Sequence, residues 1–245
     1  MSGAGRLDPG IIFITGTDTG AGKTVLTALL LAHLRSQGVR ALAMKPISSG
    51  GRSDARLLHQ LQSKDVTLDE VNPFCFTASL TPALAARREG RKVEMAAVIK
   101  HICRMRARCD VLLVEGAGGL LSPLGVKLTA LDLIRELRCR VLVAAANKLG
   151  VINHARLTVE RLELDGNKSP IVVLMDVPVP KTTSACRIGN AQIIAETMPK
   201  TAVFRIQLLP SGLPLRRSIL GCGKKIKKAL ASILGCKYNS TALSH

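Results

Sequence analysis

The strongest constraint on the fold is an alternation of short, continuous apolar runs with segments of helical spacing. The runs do not alternate polar with apolar residues, so each is predicted to be a strand buried on both faces. Such strands, joined by helices, predict an α/β fold: a parallel sheet of about six or seven strands with helices on both faces. The predicted strands are residues 11–15, 39–44, 110–115, 140–147, 170–177 and 201–206, and the predicted helices are 23–36, 54–62, 93–109, 128–138, 151–166 and 184–198.

The chain is predicted to form a single domain over residues 1–245, because no break in composition divides its 245 residues. Residues 1–9 are expected to be a loose lead-in. Residues from about 212 to 245 are expected to form a basic C-terminal helix and tail, an appendage to the domain. In that segment Ile226, Leu230, Ile233 and Leu234 fall near one stripe, with lysines opposite.

Positive charge is concentrated near the C-terminus. The net charge is +18, and nine basic residues but no acidic residue follow Glu196. Such a segment suits either an anionic partner or a solvated helix face, and we favour the solvated face. Aromatic residues make up 2% of the chain, which argues against stacking on bases. We therefore expect neither a nucleic acid nor a membrane as partner.

Several features predict a cytoplasmic protein. No apolar run approaches the ~18 residues of a membrane span, and residues 1–10 contain no apolar signal region. The seven cysteines include no C-x-x-C pair, which is typical of reduced thiols rather than disulfides or a zinc site. The five histidines show no metal-ligand spacing.

A glycine-rich loop, Thr15–Thr24, joins the first predicted strand to the first predicted helix. Its end, Gly22-Lys23-Thr24, has the P-loop form, in which backbone amides cradle phosphates. In that form Lys23 reaches the outer phosphates and the Thr24 hydroxyl binds magnesium. The strict pattern has glycine at position 17, where this chain has threonine, so the loop is a variant. The predicted fold is thus a P-loop α/β domain.

Three further charged residues follow predicted strands. Lys45 follows the second strand, before a loop rich in serine and glycine, and either extends to water or binds an anion. Glu115 ends the third strand, where a metal-binding carboxylate is expected. Asp54 follows the Lys45 loop and suits either a helix N-cap or a metal ligand. The carboxyl ends of parallel strands bind ligands, so these residues are candidates for one site.

Taken together, the motifs resemble those of dethiobiotin synthetases. They cover residues 11–206 in order: GTDTGAGKT, KPISSG, Asp54, VNPF, VEGAGG, KLGVINHARLT and DVP. The resemblance implies an ATP- and Mg²⁺-dependent cyclo-ligase of biotin biosynthesis. Its substrates would be 7,8-diaminononanoate, CO₂ and ATP, with ATP as co-substrate and Mg²⁺ as cofactor. A carbamate and a carbamic-phosphoric anhydride would be the intermediates, and the enzyme would be a homodimer.

The resemblance also implies residue roles. Lys45 would be catalytic, binding the carbamate and the transferring phosphoryl group together. Ser49 would contact the substrate, and Asn153 would contact it across the dimer interface. The implied magnesium ligands are Thr24, Asp54 and Glu115. The implied nucleotide contacts are Gly20, Ala21, Gly22, Lys23, Thr24, Val25, Asp54, Glu115, Gly116, Ala117 and Gly118.

Departures from the family pattern lie mainly at the end that would read the nucleotide base. Gly20 stands where some members carry glutamate. Met175 replaces an asparagine that recognises adenine, and Gln207 stands where members often carry proline. We therefore predict that the base is held by shape and backbone groups and is discriminated poorly. Alternatively, Met175 faces the core and the loop around residues 207–209 reads the base.

Two other functions fit parts of the pattern. One is a P-loop ATPase switch of the plasmid-partitioning or division-site type, using the basic C-terminal helix to bind DNA or membrane. Those switches carry an early P-loop lysine where this chain has Thr17, Asp18 and Thr19. The other is a related ATP-dependent ligase acting on a different amine or carboxylate.

Overall fold

The architecture is described from a computed structural model, over residues 8–167, 169–177, 184–209 and 212–235. Residues 1–7 of the predicted lead-in and residues 236–245 of the predicted C-terminal tail lie outside the described residues. Residues 8 and 9, also predicted as lead-in, instead belong to the first strand. Eight strands are described: β1 (Asp8–Gly16), β2 (Ala41–Met44), β3 (Ile47–Ser49), β4 (Phe74–Phe76), β5 (Val111–Glu115), β6 (Cys139–Asn147), β7 (Ile171–Asp176) and β8 (Val203–Ile206).

Ten helices are described. They include the six predicted between residues 23 and 198, and the last two lie in the predicted C-terminal helical segment. None of these helices combines the length and apolarity needed to cross a membrane. They are α1 (Lys23–Ser36), α2 (Ser53–Gln60), α3 (Leu68–Val71), α4 (Pro82–Arg88), α5 (Met95–Arg106), α6 (Ala130–Leu137), α7 (Val151–Leu164), α8 (Ser184–Thr197), α9 (Leu215–Leu220) and α10 (Lys224–Gly235).

Six strands form one parallel sheet in the order β2-β5-β1-β6-β7-β8, with helices on both sides, which confirms the predicted fold class. Strand β1 lies beside the point where the order reverses, because its connection runs toward the edge at β2 whereas that of the adjacent β6 runs toward the opposite edge through β7 and β8. Ligands of open parallel sheets bind beside the carboxyl ends of strands at this reversal. In the register, Ile14 of β1 pairs with Glu115 of β5, so the P-loop and Glu115 emerge side by side.

The middle of helix α1 is buried, which explains why leucines cover more than half of its circumference. Leu26, Leu29, Leu30 and Leu31 are at most 1% exposed. The helix contacts strands of the sheet on one side and α9 and α10 on another. A helix apolar over more than half of its circumference is stable only when those sides are buried. This packing fixes the N-terminus of α1, and with it the P-loop.

The C-terminal helix α10 uses its apolar stripe inside the molecule. Ile226, Leu230 and Ile233 are buried, Leu234 is partly buried, and the helix contacts β8 and α1. Arg140 at the start of β6 donates to the carbonyl of Leu234 at a distance of 2.9 Å and also to that of Ile233. The last carbonyls of α10 are thus partly satisfied by a cation, a favourable arrangement at a helix C-terminus.

Two short strands and two short helices were not predicted. β3 and β4 form a separate two-stranded parallel sheet, and α3 and α4 flank β4. Strands of three residues are too short to show a period, so hydrophobic patterning misses them. A signal for α3 was nevertheless present, because Thr67 and Glu70 have the spacing of a capping box, which they form.

Candidate active site

The P-loop curves around the carboxyl end of β1 in a conformation that depends on glycine. Gly20 has φ +74° and Gly22 has φ +91°, both in the left-handed region. A Cβ on Gly22 would lie 2.8 Å from Cγ of Met175, whereas one on Gly20 would meet no heavy atom within 4 Å. Gly22 therefore cannot carry a side chain, while the space beside Gly20 is open. Ala21 is buried and Val25 partly buried in the first turn of α1.

Lys23 is held inside the site with little solvent around it. It is 6% exposed, and its Nζ donates to the carbonyl oxygen of Asp18 at 2.8 Å. Burial lowers the pKa of Lys23 to about 8, although the nearby Glu115 opposes this shift. A buried lysine with a lowered pKa gains from a neighbouring anion, because the anion favours the charged form.

Glu115 ends β5 and is completely buried. Its Oε1 accepts from Thr24 Oγ1 at 2.7 Å and from Lys45 Nζ at 2.9 Å. Its Oε2 is also buried but has no hydrogen-bond partner. A buried carboxylate oxygen without a partner is costly unless a ligand completes the site.

Lys45 follows β2 and joins the two carboxylates. Its Nζ pairs with Glu115 and with Asp54, and the residue is 7% exposed. Burial would lower the pKa of Lys45, but Glu115 and Asp54 outweigh it and raise the pKa above its ordinary value. The ammonium is therefore charged. It lies inside the site and does not extend to water, which was one of the two alternatives considered from the sequence.

Asp54 lies in the first turn of α2, and the N-cap position belongs to Arg52. The N-cap alternative for Asp54 is therefore wrong. Its Oδ2 accepts from Lys45 Nζ, and its side chain is about half exposed. Asp54 thus faces the same ammonium as Glu115, from the solvent side of the site.

The oxygen groups at this point fit a magnesium ion. Thr24, Asp54 and Glu115 supply hard oxygen donors, and Glu115 Oε2 has no protein partner. No cluster of three or more His, Cys, Asp or Glu side chains occurs among the described residues. A site with few protein ligands suits Mg²⁺, which usually keeps waters and binds substrate phosphates as well.

The loop after β5 lies directly against the P-loop. Gly116 packs on Phe13, and a Cβ on Gly119 would lie 3.2 Å from the carbonyl oxygen of Thr17. Gly118 has φ +65°, and a Cβ there would collide with Ser122 Oγ at 2.5 Å. Ala117 is buried. The segment Glu115–Gly118 therefore forms a second wall beside the P-loop, which the sequence had indicated through its glycines.

The Lys45 loop continues into β3, where Ser49 is partly buried. Ser49 Oγ donates to the carbonyl oxygen of Leu80 at 2.6 Å. Gly50 and Gly51 both have positive φ, and their amides donate to the carbonyls of Ala78 and Phe76. The serine-glycine loop is therefore attached to the segment that follows β4.

Asn72 is a supporting residue that sequence reasoning did not single out. It is fully buried, and its Nδ2 donates to the carbonyl oxygen of Lys45 at 2.7 Å. Its Oδ1 accepts from Ser48 Oγ at 3.0 Å. The VNPF motif contained it, and an asparagine directly before a proline was the available signal.

Asn153 lies apart from this cluster. It is exposed in the first turn of α7 and makes no hydrogen bond or ion pair to Lys45, Glu115 or Asp54 within the described chain. Leu149 and Leu157, four residues before and after it, are 80% and 59% exposed. Leu157 shares a face of α7 with Asn153, because residues four apart in a helix are neighbours on its surface, and Leu149 lies just before the helix begins. Exposed leucines therefore lie on both sides of the asparagine in the chain.

Most polar groups at the ends of β6, β7 and β8 pair with one another, although Arg187 Nε is buried there without a hydrogen-bond partner. Asp176 pairs with Arg205 at 2.7 Å and accepts from Asn147 Nδ2 at 2.8 Å. Asn147 Oδ1 accepts from Asn190 Nδ2 at 2.8 Å. Met175 is 4% exposed and packs against Gly22 of the P-loop.

The sequence of this chain is similar to those of known proteins. Residues 11–211 match the family model described as AAA domain. The chain is 45% identical over 230 residues to a protein of Anaeromyxobacter sp. (strain K) named ATP-dependent dethiobiotin synthetase BioD, covering 92% of this chain and 97% of that protein. A protein of the same name from Akkermansia muciniphila is 39% identical over 183 residues, covering 75% of this chain and 85% of the other.

Solved structures show a related fold at low identity. The chain matches the MinC:MinD cell division protein complex of Aquifex aeolicus with a TM-score of 0.59 and 15% identity, covering 91% of this chain and 93% of that one. It matches pNOB8 ParA bound to nonspecific DNA with a TM-score of 0.56 and 12% identity, covering 91% and 98%. At this identity the likeness concerns the fold and not the function.

Proposed function

Since this chain belongs to the dethiobiotin synthetase family, we propose that it joins CO₂ to 7,8-diaminononanoate and closes the ring to dethiobiotin, using ATP and Mg²⁺. As a member of this family, the chain is an ATP-dependent ligase of biotin biosynthesis. One observation carries the proposed reaction: a buried ammonium, Lys45, lies between two carboxylates beside the P-loop.

The first step gathers negative charge. One amine of the substrate attacks CO₂ and loses a proton, which gives a carbamate. A carbamate oxygen then attacks the γ-phosphorus of ATP, the bond to the β-phosphate oxygen breaks, and ADP leaves. Lys45 is proposed to bind carbamate and phosphoryl oxygens together, because a compact ammonium offsets repulsion between two approaching anions.

The second step closes the ring. The other amine attacks the carbonyl carbon of the carbamic-phosphoric anhydride, a proton is lost and inorganic phosphate leaves. Little covalent chemistry falls to the protein, which mainly positions the reactants and neutralises charge. Ser49, at the edge of the Lys45 loop, is proposed to orient the substrate.

The nucleotide is proposed to bind along the P-loop and the facing wall, Glu115–Gly118. Backbone amides of residues 20–25 would hold the phosphates, and Lys23 would contact the outer ones. Thr24, Asp54 and Glu115 would hold Mg²⁺, which when bound neutralises charge on the phosphate oxygens. The partnerless oxygen of Glu115 supports this assignment.

Asn153 is proposed to reach the substrate of a partner subunit in a homodimer. The exposed leucines around it support this role, since apolar surface of this kind suits burial against a second copy. The enzyme is further proposed to act in the cytoplasm.

Packing of α10 weighs against the membrane-binding form of the switch alternative. The apolar stripe of α10 contacts β8 and α1, so it is not free to enter a membrane. The likeness to MinD and ParA concerns the fold.

One experiment tests the proposal. Phosphate release from ATP is measured with and without diaminononanoate and bicarbonate, and dethiobiotin is sought by mass spectrometry. We expect phosphate release that depends on the diamine, with dethiobiotin formed in equal amount. Phosphate release that ignores the diamine but responds to DNA or lipid vesicles would contradict the proposal and favour the switch.

A further inference from the structure

Lys45 is the first residue after strand β2, so its backbone lies outside the main sheet. β2 is the edge strand of that sheet and ends at Met44, so the sheet does not hold the residue after it. Instead, the backbone of Lys45 is hydrogen-bonded to the end of α3 and the residue that follows it. Lys45 N donates to the carbonyl of Val71 at 2.9 Å, and Asn72 Nδ2 donates to the carbonyl of Lys45 at 2.7 Å.

The side-chain amide of Asn72 is engaged at both ends. Its Nδ2 binds Lys45, its Oδ1 accepts from Ser48 Oγ, and the residue is 0% exposed. The backbone of Asn72 is also fixed, because its N–H donates to the carbonyl oxygen of Leu68 and its carbonyl oxygen accepts from Arg52. Arg52 also pairs with Asp69 of α3. A buried amide that is hydrogen-bonded at both ends holds its partners in one geometry.

Resting on the proposed function, we infer that Asn72 is a positioning residue that sets the place of the Lys45 ammonium through the Lys45 carbonyl. Positioning matters here because a displacement of about 1 Å in a reacting assembly costs on the order of a hundredfold in rate. The proposed role of Lys45 requires its Nζ to lie between two anions, and its side chain starts from the backbone that Asn72 holds.

Gln62 offers a matched control, because it bonds the backbone of Ala43, two residues before Lys45. Gln62 is 1% exposed, and its amide bonds both backbone groups of Ala43, with Nε2 donating to the carbonyl at 2.6 Å and Oε1 accepting from the amide at 2.9 Å. Asn72→Asp and Gln62→Glu each replace a buried amide nitrogen with an oxygen, so each loses one donor to the backbone of the Lys45 region. Their effects on folding should be alike.

The test compares steady-state dethiobiotin formation and thermal unfolding of both variants with wild type. Both are expected to lower Tm by similar amounts. Asn72→Asp should lower kcat by about tenfold to a hundredfold with little change in KM for ATP, whereas Gln62→Glu should keep kcat within about twofold. In a Lys45→Ala background, Asn72→Asp should lower kcat by no more than about twofold further, because the two residues act through one group.

Equal losses of kcat in the two variants, or an Asn72→Asp effect that persists in full without Lys45, would overturn the inference and leave Asn72 a structural residue. If Asn72→Asp does not fold, Ser48→Ala replaces it in the same comparison, and unchanged kcat in that variant would overturn the inference too. Failure of the wild type to form dethiobiotin would instead refute the proposed function. The two failures are therefore distinguishable.

Discussion

The two ends of the candidate nucleotide site treat their polar groups differently. At the phosphate end, two buried lysines lie near two carboxylates, and one oxygen of Glu115 has no partner. At the end formed by β6, β7 and β8, Asp176, Arg205, Asn147 and Asn190 satisfy one another. Unsatisfied buried groups indicate where a ligand is required, and satisfied ones need none. Arg187 Nε is an exception at the end formed by β6, β7 and β8, because it is buried without a partner. On this contrast we propose that the nucleotide is held mainly by its phosphates.

The largest expected effect comes from Lys45→Ala. Turnover should fall by roughly a hundredfold or more, because one stabilising charge at the reacting groups is lost. Steady-state dethiobiotin formation measures this, and thermal unfolding and circular dichroism check the fold. Lys45→Met serves as a control for the length of the side chain. Near-normal turnover in both variants would remove Lys45 from the chemistry and weaken the contrast between the two ends.

A smaller effect is expected for the proposed metal ligands. Glu115→Gln should weaken Mg-ATP binding by about tenfold or more, because a neutral amide is a poor ligand for a hard cation. Thr24→Val should also weaken it, through loss of the hydroxyl. Calorimetric titration of Mg-ATP measures both. Glu160→Gln, which alters an exposed ion pair with Arg156 on α7, should leave affinity unchanged. Wild-type affinity in the first two variants would exclude them as ligands.

A third prediction concerns protons and sharpens the role of Lys23. Its pKa is lowered to about 8 by burial, and bound phosphates should raise that pKa because they favour the charged form. ATP binding at pH 8 should therefore take up about half a proton, whereas at pH 6.5 Lys23 is already protonated and little uptake is expected. Titrations in buffers of different ionisation enthalpy measure the uptake. Equal uptake at both pH values would contradict the assignment.

Much of this site could be predicted from sequence, because its motifs are local. The glycine-rich loop lies between one strand and one helix, and Glu115 directly follows a continuous apolar run. Six strands of the main sheet were predicted for the same reason, since buried parallel strands are long and uniformly apolar. Boundaries were less accurate: β2 begins at Ala41 rather than at residue 39, and α5 spans Met95–Arg106 rather than 93–109.

What sequence reasoning missed depends on contacts between distant segments. Asn72 supports Lys45 from 27 positions away, and nothing in its immediate neighbours reveals that bond. Likewise, Met175 packs against Gly22 although the two are far apart in sequence, so its burial was one of two open alternatives. The short β3 and β4 gain their pairing from each other and not from a periodic pattern.

The smallest expected effect tests the central claim, that the phosphates and not the base hold the nucleotide. It is measured as kcat/KM for dethiobiotin formation with ATP, GTP and CTP. Met175 is buried against Gly22 and carries no useful donor, and the neighbouring amide of Asn147 is engaged at both ends. We therefore predict that GTP or CTP supports the reaction within about tenfold of ATP, or about 1.4 kcal/mol. A preference for ATP of several orders of magnitude would contradict the claim, and its loss in Gln207→Ala would place base reading in the loop after β8.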